Sequence, residues 1–89
     1  MQTRDLAISN RLGLHARACA RIVNIASRFQ CKVSLVVKGR RASARNIVAV
    51  MLLTASVGTT VRLETDGPDE AAAMDAIVAL IGDYFGEGQ

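Results

Sequence analysis

Apolar residues in this chain recur first at every second position, then at every third or fourth, and the two spacings take turns along the sequence. Leu6 and Ile8 alternate with polar or small neighbours, as do Val33, Leu35 and Val37 with Lys32, Ser34 and Val36, and Val61 and Leu63 with Arg62 and Glu64. A period of two belongs to a strand with one covered and one solvated face. Lys38 and Gly39 separate the second of these runs from a short segment over residues 40–44, which predicts a hairpin with the glycine in its turn and hence a fourth strand.

Over residues 15–29 the spacing changes. Arg17, Arg21, Asn24 and Arg28 form a polar stripe, and Cys19, Ile22, Val23, Ala26 and Phe29 form the opposite, apolar one, as in an amphipathic helix. Asp69, Glu70, Met74, Ile77, Val78, Ile81 and Phe85 predict another helix, with Pro68 and two acids at its start where the positive end of the helix dipole favours them. Between them lies NIVAVMLLTASVG, in which Asn46 is a good N-cap and Gly58 a stop. Residues 47–53 therefore read as a short helix, although a buried strand would give the same apolar run.

The order is βαββαβα, which makes an open-faced sandwich with helices on one face of the sheet. Strand order does not follow from the periods. Eighty-nine residues make a single domain over 1–89. At 51% hydrophobic and 21% charged residues the chain has enough apolar surface to fold. Its longest apolar run, residues 47–53, is far below the roughly 20 residues a bilayer requires, and the first residues lack the apolar stretch of a signal peptide. A soluble, cytoplasmic monomer is expected. Cys19 and Cys31, with no CxxC and no secretory context, read as free thiols.

Charge is unevenly spread. Residues 1–45 carry ten Lys and Arg against one acid, and residues 46–89 carry one Arg against seven acids. A basic half points to an anionic partner. Nucleic acid is disfavoured as that partner, because the three aromatic residues, Phe29, Tyr84 and Phe85, lie in no stacking motif. Gly13 and Gly39 form neither a P-loop nor a dinucleotide fingerprint, and no cofactor or metal is expected.

His15 is the only histidine, and it stands where a polar, glycine-containing loop, Asn10-Arg11-Leu12-Gly13-Leu14, enters the first helix. The unpaired N–H groups of a helix start attract an anion. A neutral imidazole held there keeps a lone pair and can act as a nucleophile. Arg17, in the first turn, can meet phosphate oxygens through two parallel hydrogen bonds. The pair suits acceptance of a phosphoryl group, while the alternative is a histidine at a helix cap beside a surface arginine. Cys19, four residues on, falls on the apolar stripe and reads as a buried thiol rather than as half of a nucleophilic pair. On the apolar 47–53 helix one face can pack on the sheet and residues such as Ile47 and Met51 point outward, making a docking patch; the alternative is that the whole run is core.

The stretch NRLGLHARACARIV, the NIVAVMLL helix, the Gly58 turn and DGPDEAAAMDAI together resemble the histidine-containing phosphocarrier (HPr) family of the bacterial phosphoenolpyruvate-dependent phosphotransferase system, over nearly the whole chain. The resemblance implies a four-stranded antiparallel sheet with three helices on one face. It also implies a relay in which phosphorylated Enzyme I passes a phosphoryl group to Nδ1 of His15, and His15 passes it to an EIIA domain. Arg17 and the backbone amides of Ala16 and Arg17 would steady the phosphoryl oxygens. Ile47, Val48 and Met51 match the docking surface for donor and acceptor. Three positions depart from the family pattern. Ala18 replaces a proline, Asn46 replaces the serine that a dedicated kinase phosphorylates in some members, and Arg45 replaces a lysine. Regulatory phosphorylation at position 46 is therefore not expected. The alternatives within the same fold are a carrier of the nitrogen-related regulatory branch and a binding module that is not phosphorylated.

Overall fold

The computed structural model describes residues 1–83 and 85. Seven elements follow in the order β1 (Gln2–Ala7), α1 (Ala16–Ala26), β2 (Lys32–Val37), β3 (Arg40–Ser43), α2 (Ile47–Met51), β4 (Thr60–Asp66) and α3 (Glu70–Gly82). This is the βαββαβα order that the periods predict.

The four strands form one antiparallel sheet in the order β1-β4-β2-β3, so the last strand in sequence enters between the first two. Register accounts for the alternation of apolar residues along the strands. Leu35 lies opposite both Leu63 on β4 and Ala42 on β3, and Val61 lies opposite Leu6, which gathers the apolar side chains on one face. Val36, Asp5, Arg62 and Arg41 share the other face. There Glu64, only 7% exposed, is paired with the Arg41 guanidinium, and Arg62 meets Asp5 at 3.2 Å.

The core lies between the sheet and the helices. α1 buries Ala18, Cys19, Ile22 and Ala26, and α3 buries Ala73, Met74, Ile77 and Ile81. These press on Val33, Leu35, Val61 and Leu63 of the central strands, all buried. Phe85 follows α3 rather than belonging to it, yet is fully buried, and its carbonyl accepts from the Arg21 guanidinium. Both cysteines are buried and unbridged, and burial pushes both thiols up. Among the described residues no helix is long and apolar enough to cross a membrane.

Besides the end of α3, which leaves Phe85 outside the helix, the boundaries of α1 and α2 differ from the sequence reading. α1 covers residues 16–26, because the chain tightens after Ala26 into short-range bonds, Arg28 N–H to the Ile25 carbonyl and Phe29 N–H to the Ala26 carbonyl. α2 stops at Met51, well before Gly58. Leu53 and Thr54 donate to the carbonyls three residues back, and Thr54 takes a positive φ of 51°, ending the helix without a glycine. Gly58, at φ 87°, instead shapes the turn into β4, where its N–H donates to the Ile8 carbonyl at 2.7 Å.

Candidate phosphoryl site at the start of the first helix

The loop between β1 and α1 is held from three directions. Gly13 N–H donates to the Asn10 carbonyl at 3.2 Å, and the Asn10 side-chain Nδ2 donates to the Gly13 carbonyl at 2.8 Å, closing a tight turn around a buried asparagine. Leu14 N–H donates to the Ala55 carbonyl at 2.8 Å, docking this loop on the one that follows α2. Gly13 itself sits at φ 66°, and a Cβ there would lie 2.5 Å from the Ala55 carbonyl oxygen and 2.8 Å from the Ser56 Cα. Only glycine fits, both for its backbone angle and for the closeness of the second loop. Leu14, 7% exposed, anchors the turn in the core.

This packing delivers His15 to the N-cap position of α1, half-buried, with extended backbone at φ −82° and ψ 176°. Its N–H donates to the Gly13 carbonyl at 3.0 Å and its carbonyl accepts the first helical bond, from Cys19 N–H at 2.9 Å. The imidazole does not cap the helix. The N–H groups of Ala16, Arg17 and Ala18 precede the first intrahelical bond, and no described residue accepts from them. They form a cluster of donors beside the ring, with the positive end of the helix dipole behind it. Arg17 is exposed on the first turn, as its place on the polar stripe predicts. Ala18, where the family proline would stand, is fully buried and retains an amide that proline would lack.

α2 lies beside α1 and is apolar almost throughout, but it buries only Val50. Ile47 is 37% exposed, Val48 60% and Met51 41%, and Leu52 at the helix end is also exposed. The exposed set named from the sequence, Ile47, Val48 and Met51, is thus joined by Leu52, while Val50 and Leu53 are buried in the core and Ala49 packs partly against it. Asn46 caps this helix, its Oδ1 accepting from Ala49 N–H at 3.1 Å. Arg45 donates to the carbonyls of Phe29 and, at 3.1 Å, of Cys31.

Asn10 and Gly13 were not singled out by sequence reasoning as positioning residues. The signal was available, since an asparagine three residues before a glycine at a strand exit is a turn signature. Among the described residues no cluster of His, Cys, Asp or Glu could hold a metal ion.

A small antiparallel α+β domain with a histidine at the open mouth of a helix defines the class. Residues 2–83 match the family described as the PTS HPr component phosphorylation site. The chain is 52% identical over 89 residues to the phosphocarrier protein HPr of Cupriavidus necator, covering all of both chains. It is 46% identical over 87 residues to that of Xylella fastidiosa, covering 98% of each. A solved HPr structure from Thermoanaerobacter tengcongensis superposes with a TM-score of 0.94 at 37% identity, covering 98% of each chain. The chain belongs to the HPr family of phosphocarrier proteins of the phosphotransferase system.

Proposed function

We propose that this HPr-family phosphocarrier accepts a phosphoryl group on Nδ1 of His15 from phosphorylated Enzyme I and donates it to an EIIA domain. The observation that carries the reading is the N-cap placement of His15 with an imidazole that leaves the first-turn amides uncapped. The ring lone pair attacks phosphorus in line, a P–N bond forms as the donor's bond to phosphorus breaks, and the same step run against an acceptor regenerates free His15. A loose transition state of this kind needs positioning and charge stabilisation more than acid–base machinery.

The amides of Ala16 and Arg17 and the Arg17 guanidinium receive the oxygens of the transferring group. The amides are held by the helix before it arrives, so they need no reorganisation during the step. Ile47, Val48 and Met51 supply the apolar surface against which donor and acceptor dock in turn. Retention of His15 and Arg17 together favours a working carrier over a binding module that is never phosphorylated. Asn46 is committed to capping α2 and offers no hydroxyl, which keeps this chain free of kinase control at that position.

Incubation with phosphoenolpyruvate and Enzyme I, followed by mass analysis, should show one added, acid-labile phosphate. The His15→Ala protein should gain none while keeping its melting temperature. An unmodified wild type under conditions that phosphorylate a control HPr would remove the carrier reading.

A further inference from the structure

The end of the sheet that carries His15 also holds a small, partly open pocket away from the histidine, between the β2–β3 hairpin and the loop from α2 to β4. Its volume is about 90 Å³. That is several times what one water needs and well below the roughly 300 to 1,000 Å³ of clefts that take drug-sized ligands. A four-oxygen anion fits, but a nucleotide does not. It is lined by Lys38 and Arg40 from the hairpin, by Thr54, Ser56 and Thr59 from the loop, and by the buried Val37 and Leu53. None of the lining residues is acidic.

The charges of this hairpin are handled unequally. Arg41 is paired with Glu64, and Arg62 on the neighbouring strand with Asp5. Lys38 and Arg40 are in no ion pair among the described residues, so two like charges border one pocket, while Asp5 lies across a neighbouring surface hollow that Lys38 also borders. Two residues of the wall are also held in an unfavourable backbone. Lys38 and Thr54 both sit at φ 51°, where a side chain is strained and glycine or asparagine would be cheaper. Gly39, at φ 80°, completes a turn whose first position places a lysine where the backbone disfavours one. Strain of this kind collects at ligand clamps. The hydroxyls opposite are arranged by their own contacts, with Thr59 Oγ1 accepting from Ser56 N–H at 3.2 Å and lying 3.4 Å from Ser56 Oγ.

We propose that this pocket is a second anion site, which takes a tetrahedral phosphate group between the Lys38 and Arg40 cations and the Ser56 and Thr59 hydroxyls. The chemistry is that of inorganic phosphate or of a small phosphate monoester whose organic part faces solvent. The site shares a wall with the His15 centre, because the loop contributing Thr54, Ser56 and Thr59 also contributes the Ala55 carbonyl that accepts from Leu14. It does not depend on His15 being phosphorylated.

The test is an amide-resolved NMR titration of the full chain with inorganic phosphate and, separately, with glycerol 3-phosphate, at constant ionic strength with chloride as reference. Saturable shifts are expected at Gly39, Arg40, Thr54, Ser56 and Thr59, and the tighter of the two ligands identifies the source of the phosphate. Lys38→Gly removes the charge and relieves the backbone strain, so it should weaken binding about tenfold while leaving the melting temperature equal or higher. Arg40→Gln should weaken binding to a similar extent. Shifts confined to Ala16 and Arg17, or shifts that grow linearly and survive both substitutions, would overturn the proposal.

Discussion

The first and last helices begin in opposite ways. At α1 the N-cap side chain, His15, does not cap, and three first-turn amides have no described acceptor. At α3 the N-cap residue Asp69 does not cap its own helix either, but its carboxylate accepts from the backbone N–H groups of Gln30 and Cys31, both at 2.9 Å. The next residue, Glu70, accepts from Gly67 N–H at 3.1 Å and pairs with the amino terminus at 3.1 Å. Among the described residues, one helix start has amides with no acceptor and the other ties together two loops and the chain terminus. Each orphan donor satisfied inside the protein adds to stability and is lost to a ligand. Among the described residues cohesion is thus concentrated at the α3 end, while the first-turn amides of α1 stay available to the proposed phosphoryl group.

Substitutions can break this contrast, beginning with the open end. Arg17→Ala should slow phosphoryl transfer roughly 10²- to 10³-fold, the loss seen when one preorganised donor to a transition-state oxygen is removed. Single-turnover transfer measured beside Enzyme I binding would check this. An equal loss of rate and affinity would place Arg17 in the docking interface instead.

Asp69→Asn tests the closed end, and should lower the melting temperature by several degrees with transfer by His15 unchanged. The same carboxylate gives the fold a pH dependence. The Gln30 N–H first, and then the Cys31 N–H and thiol, hold the Asp69 carboxyl below its ordinary value, and the Gly67 N–H followed by the amino terminus does so for Glu70. A depressed folded-state value means stability that is complete above the unfolded carboxylate range and is lost as pH falls through the folded value. Thermal melts should thus fall away in acid below about pH 4, where unfolded carboxylates begin to protonate, and Asp69→Asn should flatten that fall. A wild type whose melting temperature holds steady down to pH 2 would contradict the assignment.

The smallest effect is expected at α2, whose start is closed by a neutral cap. Asn46→Ala should cost about 1 kcal/mol, as loss of a capping side chain does, measured by urea unfolding. A neutral result would mean that the Ala49 N–H finds water as readily as the cap.

Much of this architecture was legible in the chain itself. The change of period between Leu6 and Ile22 and between Ile22 and Val33 is a local property, because a strand or a one-sided helix needs its apolar residues at fixed intervals whatever it packs against. His15, Arg17 and the 47–53 run were legible for the same reason, together with a resemblance that spans the chain. The end of α2 was not. Thr54 adopts the positive φ that the sequence would assign to a glycine, and the loop it starts is held by the Leu14 contact to Ala55 and the Gly58 contact to Ile8. Those partners lie more than forty residues away along the chain.

By itself, the sequence determined the kind and order of the elements and the placing of a histidine at a helix start, since each depends on neighbours within a few positions. Tertiary structure alone decided that β4 enters between β1 and β2, that Asn10 and Gly13 seat His15 against the Ala55 loop, and that Asp69 ties down a loop instead of its own helix. These arise where distant backbones approach within hydrogen-bonding distance, and residue spacing along one chain carries no record of which distant groups will meet.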